Sequence, residues 1–257
     1  MDSRLFQHER RGLIVTLVNQ EGRVSVADLC ARFGLSAATI RSDLDGLVRQ
    51  GLVIRTHGGA IAADHRNVEM SFEARRRMYA AEKARIGAAA AAMIADGEAI
   101  VLDASTTALA VANAIRGHRE LTVITNGLFA AMALLNIPGV TVLMTGGFLR
   151  SDSVSVVGTD GHDLVQRYNF QKGFFGGKGL DLQGGLTDVN RDEVAIKRDL
   201  VKRAKRVVAV MDSSKWGQVG FARFAAIDEL HCVVTDDGAP PDMVAALREA
   251  GVEVVIA

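Results

Sequence analysis

The stretch Ser25-Val26-Ala27-Asp28-Leu29, continued by Phe33-Gly34-Leu35-Ser36-Ala37-Ala38-Thr39-Ile40-Arg41-Ser42-Asp43-Leu44, reads as two short helices joined by a glycine turn. That is the helix-turn-helix layout. Val26, Leu29 and Phe33 put an apolar stripe on the first helix. Ile40, Leu44, Leu47 and Val48 put one on the second, with the i, i+4, i+7, i+8 spacing that lines one helical face. Ser36 stands where an N-cap belongs, so the second helix starts there. Its outward face is then Ala37, Ala38, Thr39, Arg41, Ser42, Asp45 and Arg49. Small side chains let a helix enter the major groove deeply, while Thr, Ser and Arg bond bases and phosphates. On these residues alone, a surface helical hairpin of an enzyme stays an alternative.

The flanking residues extend the motif. Gly51-Leu52-Val53-Ile54-Arg55-Thr56-His57-Gly58-Gly59-Ala60 is a β-prone run ending in paired glycines. A wing after a recognition helix has this composition, and its Arg55 and His57 can reach phosphate or the adjacent minor groove. Upstream, Leu13, Ile14, Leu17 and Val18 give a first helix that closes a three-helix core, Gly22 ends it, and Arg23-Val24-Ser25 is a short strand or turn. The segment resembles the DeoR-type winged helix-turn-helix, with the helix-turn-helix at about 24–43. The resemblance is carried by Gly22-x-Val24-Ser25, Leu29, Phe33-Gly34-x-Ser36-x-x-Thr39-Ile40-Arg41-x-Asp43-Leu44, Leu47, Gly51-Leu52, Arg55 and His57-Gly58-Gly59-Ala60. It departs at Ser42, where the family usually carries a second Arg, which puts one base or phosphate contact in doubt. The expected DNA-binding residues are Arg23, Ser36, Ala37, Thr39, Arg41, Ser42, Arg49, Arg55 and His57.

Composition sets bounds. A chain of 257 residues has room for two domains. With 49% apolar and 23% charged residues it is a folded chain rather than a disordered one. Zero net charge argues against a strongly basic nucleic-acid binder. Residues 1–60 nevertheless hold eight Arg against six Asp and Glu, a net of +2. Cys30 and Cys232 lie far apart in apolar contexts without zinc spacing, so buried reduced thiols are expected and neither a metal nor a cofactor. The N-terminus has no apolar h-region, and no apolar run reaches the ~18–20 residues of a membrane span. The expected location is the cytoplasm. The expected organisation is a DNA-binding domain over 1–62, a linker with a lead-in helix over 63–80, and a second domain over 81–257.

In that second domain, strands and helices alternate. Strands are expected at Ala99–Leu102, Leu121–Thr125, Val140–Met144, Lys172–Gly176, Arg206–Met211, Cys232–Thr235 and Val252–Ile256. Helices are expected at Glu82–Ile94, Thr106–Ile115, from Gly127 to Leu135, Asp192–Ala204 and Pro241–Ala250. Such alternation means a Rossmann-like, mostly parallel α/β sheet covered on both faces. Ligands bind such sheets at the carboxyl ends of strands, where six polar motifs fall. Asp103-Ala104-Ser105-Thr106-Thr107 offers hydroxyls and a helix start, suited either to an anion or to plain capping. Thr125-Asn126-Gly127 follows a strand, and Asn126 has the option of being only a left-handed turn residue. Thr145-Gly146-Gly147 and Gly176-Gly177-Lys178-Gly179-Leu180-Asp181 expose backbone to a ligand. Glu193 and Lys197 sit one helical turn apart and suit an i,i+4 surface ion pair equally well. Asp212-Ser213-Ser214-Lys215 puts a lysine at another strand end.

Helix start, hydroxyls, lysines and carboxylates together suit a phosphorylated sugar or polyol. The set also resembles the DeoR-family effector domain, related in fold to ribose-5-phosphate isomerase A and the CoA-transferase group. It keeps that order from Asp-Ala-Ser-Thr-Thr through Gly158, Gly-Leu-Asp and Gly-Leu-Thr to Asp-x-Ser-Lys. The resemblance implies a repressor of a carbohydrate-catabolism operon that binds double-stranded operator DNA as a homo-oligomer, dimer or tetramer, and answers to a phosphorylated sugar. The rival reading is a sugar-phosphate isomerase-like enzyme with a DNA-binding appendage, its base drawn from Glu193, Asp181 or Asp103. Turnover assays on pentose and hexose phosphates separate the two. A regulator that has lost its ligand is a third reading, against which Lys197, Asp212 and Lys215 speak.

Overall fold

The computed structural model describes residues 7–21, 23–50, 52–62 and 70–257. The chain divides into two compact units between Ser71 and Phe72. Gly22, Gly51 and residues 63–69 of the expected linker lie outside the described residues.

The first unit runs α1 (Gln7–Glu21), β1 (Arg23–Ser25), α2 (Val26–Phe33), α3 (Ala37–Arg49), β2 (Val53–Thr56) and β3 (Gly59–Ala62). Both helices of the motif begin at serines. Asp28 N–H donates to Ser25 Oγ at 3.0 Å and Thr39 N–H to Ser36 Oγ at 3.2 Å, satisfying donors that a helix start leaves open. α2 ends at Gly34 in the left-handed conformation, φ 66°, where a side chain would be strained. Ile14, Val18, Leu29, Ile40, Leu44 and Leu47 form the core. Leu13 was expected in that core and is 45% exposed. The antiparallel sheet has the order β1-β3-β2, so the β2–β3 hairpin is the expected wing and β1 its third strand.

The second unit starts earlier than expected. Residues 72–80 belong to it, because α4 (Phe72–Arg77) buries Phe72 and stacks its ring on Phe129. There follow α5 (Ala80–Ala91), β4 (Ala99–Leu102), α6 (Thr106–Ala114), β5 (Leu121–Thr125), α7 (Leu128–Leu134), β6 (Val140–Met144), β7 (Phe148–Arg150), β8 (Ser155–Val157) and α8 (Thr159–Gln166). The chain continues through β9 (Phe170–Phe175), β10 (Gly179–Asp181), β11 (Gly185–Asp188), α9 (Arg191–Arg203), β12 (Ala204–Val210), β13 (Ala222–Ala225), β14 (Cys232–Thr235), α10 (Pro241–Glu249) and β15 (Glu253–Ile256).

Seven strands form one parallel sheet, β15-β14-β12-β9-β4-β5-β6. Alternate residues serve opposite faces, as the pleat requires. Ile100, Leu102, Phe174, Val208 and Val210 pack with α5 and α6 residues such as Ile86 and Val111. Val101, Phe175, Val207 and Ala209 pack with Leu200 of α9 and with Leu180, Leu186 and Phe224 of a smaller sheet, β10-β11-β13. Cys232 is buried within the first of these layers, and Cys30 of the other unit is half-buried; both are free thiols. Because the large sheet is parallel, Asp103, Asn126, Thr145, Gly176, Asp212 and Asp236 all fall on one edge, just past β4, β5, β6, β9, β12 and β14. No helix among the described residues is long and apolar enough to cross a membrane.

Candidate functional site

In the first unit, the outer face of α3 is polar and unencumbered. Arg41, Ser42 and Arg49 are exposed, as are Arg23 on β1 and His57 in the wing turn, while Ala37 and Thr39 are half-buried. The hydroxyls of Ser36 and Thr39 lie 2.9 Å apart, bonded to each other. Arg55 is the exception. It is half-buried, donates to Gly59 O at 2.6 Å and pairs with Asp45 at 3.3 Å, so it braces the wing. Sequence reading missed a buried centre beneath α3. Asp43 is fully buried and accepts from Arg10 at 2.6 Å and Arg11 at 3.0 Å. Burial alone pushes its carboxyl up, but the two guanidiniums prevail and hold it below 3.8. This ties α1 to α3.

In the second unit, the strand-end edge is densely wired. Lys197, 3% exposed, lies 2.9 Å from Asp103 and 2.7 Å from Asp188, and donates to Gly176 O at 3.0 Å. Its ammonium also faces the Phe224 ring at 4.8 Å. Burial works against the Lys197 charge, but Asp103, Asp188 and Glu193 more than offset it and raise its pKa. Burial likewise opposes the Asp188 charge, and Lys197 holds that carboxyl below its ordinary value. Asp103 accepts from Ser105 N–H and from Gly176 N–H, both at 3.0 Å. Glu193 accepts from Ser153 at 2.8 Å, from Arg150 at 3.1 Å, from Asn126 at 3.3 Å and from Ser155. The alternative of a Glu193–Lys197 surface pair is not realised, because both side chains are buried and engage separate partners.

Other expectations are corrected by the same wiring. Asn126 is no left-handed turn residue; it is fully buried and bonds Glu193. Asp181 shapes the β10–β11 turn, accepting from the N–H groups of Gln183 at 2.9 Å and Gly184 at 2.7 Å. Ser105 is the N-cap of α6 and takes the Ala108 N–H at 3.1 Å. Thr106 and Thr107, both buried, occupy the first turn, and Thr106 lines a cleft of about 360 Å³ with Arg76, Lys83 and Asn113. Gly146 and Gly147 are both exposed, and a Cβ on Gly147 would lie 2.3 Å from Val157 O, so no side chain fits there. Gly177 and Lys178 are half-buried at the end of β9. Arg150, Ser153, Ser155 and Asp188 were not anticipated. The serine-rich Ser151-Asp152-Ser153 run was the available signal for the first three.

Not every polar group at this edge is satisfied. Asn126 Oδ1, Thr145 Oγ1 and Asp212 Oδ2 are buried and make no hydrogen bond among the described residues. Lys83 Nζ is the nearest cation to Asp212, at 3.8 Å, and is itself engaged by Arg75 O and Met78 O. Burial drives the Lys83 pKa down to about 8, with Asp212 pulling the other way. Burial also lowers Lys215, which follows Asp212 in the same loop. Among the described residues no group of His, Cys, Asp and Glu is placed to hold a metal ion.

A winged helix-turn-helix and an α/β unit with polar groups gathered at its strand ends define a class: a DNA-binding regulator with a sensor domain. Residues 10–66 match the DeoR-like helix-turn-helix domain and residues 79–237 the DeoR C terminal sensor domain. The chain is 37% identical over 250 residues to a protein of Escherichia coli O157:H7 assigned as the aga operon transcriptional repressor, covering 96% of this chain and 93% of that one. It is 34% identical over 235 residues to the glycerol-3-phosphate regulon repressor of Escherichia coli strain K12, covering 91% and 92%. The chain belongs to the DeoR family of transcription regulators. These relatives are regulators rather than enzymes, and the isomerase reading is set aside. Ribose 5-phosphate isomerase from Plasmodium falciparum is a remote likeness, with TM-score 0.38, 15% identity and 52% of each chain covered, and carries no weight here.

Proposed function

We propose that this chain is a cytoplasmic repressor of a carbohydrate-catabolism operon, binding operator DNA as a homo-oligomer and released by a phosphorylated sugar at the strand-end site. The observation that carries the ligand half is the set of three buried polar atoms, Asn126 Oδ1, Thr145 Oγ1 and Asp212 Oδ2, left without a hydrogen bond past three different strands. Leaving such groups unpaired costs about 1–3 kcal/mol each. A polyol brings the hydroxyl donors that the two acceptors, Asn126 Oδ1 and Asp212 Oδ2, lack. The α6 start keeps the Thr106 and Thr107 hydroxyls for an anion, and Lys215 is the lysine suited to it. Lys197 is already surrounded by carboxylates, whereas burial leaves the Lys215 charge undercompensated. Gly146, Gly147, Gly177, Lys178 and Asp181 then shape the rim rather than hold the ligand, while Thr125, fully buried and accepting the Gly127 N–H at 3.0 Å, lies beneath it.

On the DNA side, Arg41 and Ser42 are the residues proposed to read base edges, with Arg23, Arg49 and His57 on phosphates. Two recognition helices of a symmetric oligomer imply repeated half-sites in the operator. The decisive experiment is calorimetry with matched pairs of sugars and sugar phosphates. A phosphate binding at least tenfold more tightly than its free sugar is expected. Equal affinity for the two removes the anion site and leaves Ser105, Thr106 and Thr107 as helix-start residues only.

A further inference from the structure

α4 is the first element of the second unit, reached directly from the chain that leaves the DNA-binding unit. Three of its contacts lead back to the strand-end site, through the β7–β8 turn, α7 and α5. First, Phe72 N–H donates to Asp152 O at 2.7 Å. Asp152 lies in the β7–β8 turn, whose Ser153 and Ser155 hold Glu193. Second, the Phe72 ring stacks on Phe129 at 4.8 Å, and Arg76 covers the same ring at 5.9 Å. Phe129 follows Asn126-Gly127, and the turn and α7 are laced together by Leu128 N–H to Val154 O at 3.1 Å and Val156 N–H to Asn126 O at 2.7 Å. Third, Lys83 donates to Arg75 O at 2.6 Å and Met78 O at 2.5 Å at the end of α4, with Asp212 at 3.8 Å behind it.

The β7–β8 turn is under tension as well. Val154 has φ 51°, a left-handed conformation that a β-branched residue adopts only when its surroundings impose it. Here the imposing contacts are those of Ser153 and Ser155 to Glu193 on either side. A ligand that donates hydrogen bonds to Glu193, Asn126 Oδ1 or Asp212 changes what the turn and Lys83 hold on to. Such a change has a short mechanical route to α4, because coupling needs an element that both sites bias.

We infer that α4 is the element through which occupancy of the strand-end site is passed toward the DNA-binding unit, with Phe72, Phe129 and Lys83 as its positioning residues. This rests on the strand-end site being the effector site, and the test separates the two. Hydrogen–deuterium exchange of the full chain is measured for wild type, Glu193→Gln, Asp212→Asn and the milder Ser153→Ala, none of which alters α4 itself. Exchange of the amides of residues 72–77 at least tenfold faster in Glu193→Gln or Asp212→Asn, and at least threefold faster in Ser153→Ala, is the expected result. Exchange there unchanged within twofold in all three variants overturns the relay, whatever happens elsewhere. In a second arm, wild type is titrated with inorganic phosphate, glycerol 3-phosphate and glucose 6-phosphate. Protection of residues 103–107 together with 72–77 is expected. Protection of 103–107 alone overturns the relay. Protection of neither by any probe counts against the effector site, and the variants still decide the relay.

Discussion

The two units treat buried charge in opposite ways. In the winged unit, Asp43 is fully buried and fully answered by Arg10 and Arg11, and the groups offered to a partner all lie outside. At the strand-end edge, Lys197 is answered by Asp103 and Asp188, yet Asn126, Thr145 and Asp212 keep buried atoms with no hydrogen bond. A surface that reads a nucleic acid can be mounted on a completed interior. On the proposal above, a site for a small ligand leaves part of its interior incomplete until the ligand arrives.

The sharpest way to break that contrast is to spoil the part of the strand-end network that is complete. Lys197→Met leaves Asp103 buried without its cation, and removing one partner of a buried pair costs about 3–5 kcal/mol. Denaturant titration should show a loss of that size; a loss under about 1 kcal/mol would mean the network is not what holds the edge together. Asp43→Asn should cost the winged unit about 1–3 kcal/mol and also change its response to acid. The Asp43 carboxyl is held below 3.8 in the folded state, so its contribution is present above the unfolded value and lost as pH falls through the folded one. The variant should therefore show a flatter decline in stability below about pH 4, and an acid profile identical to wild type would break the assignment.

Arg41→Ala tests the other half of the contrast, that the DNA-reading face stands free of the interior. Operator affinity should fall by about 1–3 kcal/mol if Arg41 reads a base, with stability within about 0.5 kcal/mol of wild type. A stability change larger than the affinity change would tie the face to the core. The last expected effect is a slope. The pKa of Lys83 is lowered from 10.5 to about 8, so between those values the unfolded chain binds the extra proton and stability rises with pH. Lys83→Met should flatten this rise, leaving the part that the lowered Lys215 contributes, which two denaturation series between pH 7.5 and about pH 10 will detect; a slope equal to that of wild type removes Lys83 as its source.

Much of this was legible in the sequence. The apolar runs of β4, β5, β6 and β14 marked their bounds outright, and serine caps marked the starts of α3 and α6. The short antiparallel pieces β7, β8, β10, β11 and β13, and helix α8, escaped notice. They are three to eight residues long, polar or glycine-broken, so no period has room to repeat. Asp43 escaped because it was assigned to neither face of α3, although it stands three places after Ile40 and one before Leu44 on the buried stripe. Glu193 and Lys197 were read as each other's neighbours along a helix. Only the fold brings Ser153, Asn126 and Asp188 close enough to compete for them. The positions of the strand-end motifs were readable from the α/β alternation; the partners that cross between motifs, such as Asp103 with Gly176 and Glu193 with Asn126, were not, since they are distant in sequence.

Gly176 at the end of β9 limits how such a pocket can evolve. A Cβ there would lie 2.4 Å from Ser105 Oγ, so only hydrogen fits between the end of β9 and the start of α6. The floor therefore has one permitted depth. On the effector site proposed above, a lineage drifting toward a longer or shorter effector has to find its variation at the exposed tips of the 181–185 and 150–155 turns, at Leu182, Gln183, Ser151 and Asp152. Relatives with different inducers should thus share their floors and diverge at these two loops, and grafting the loops alone should carry preference from one to another.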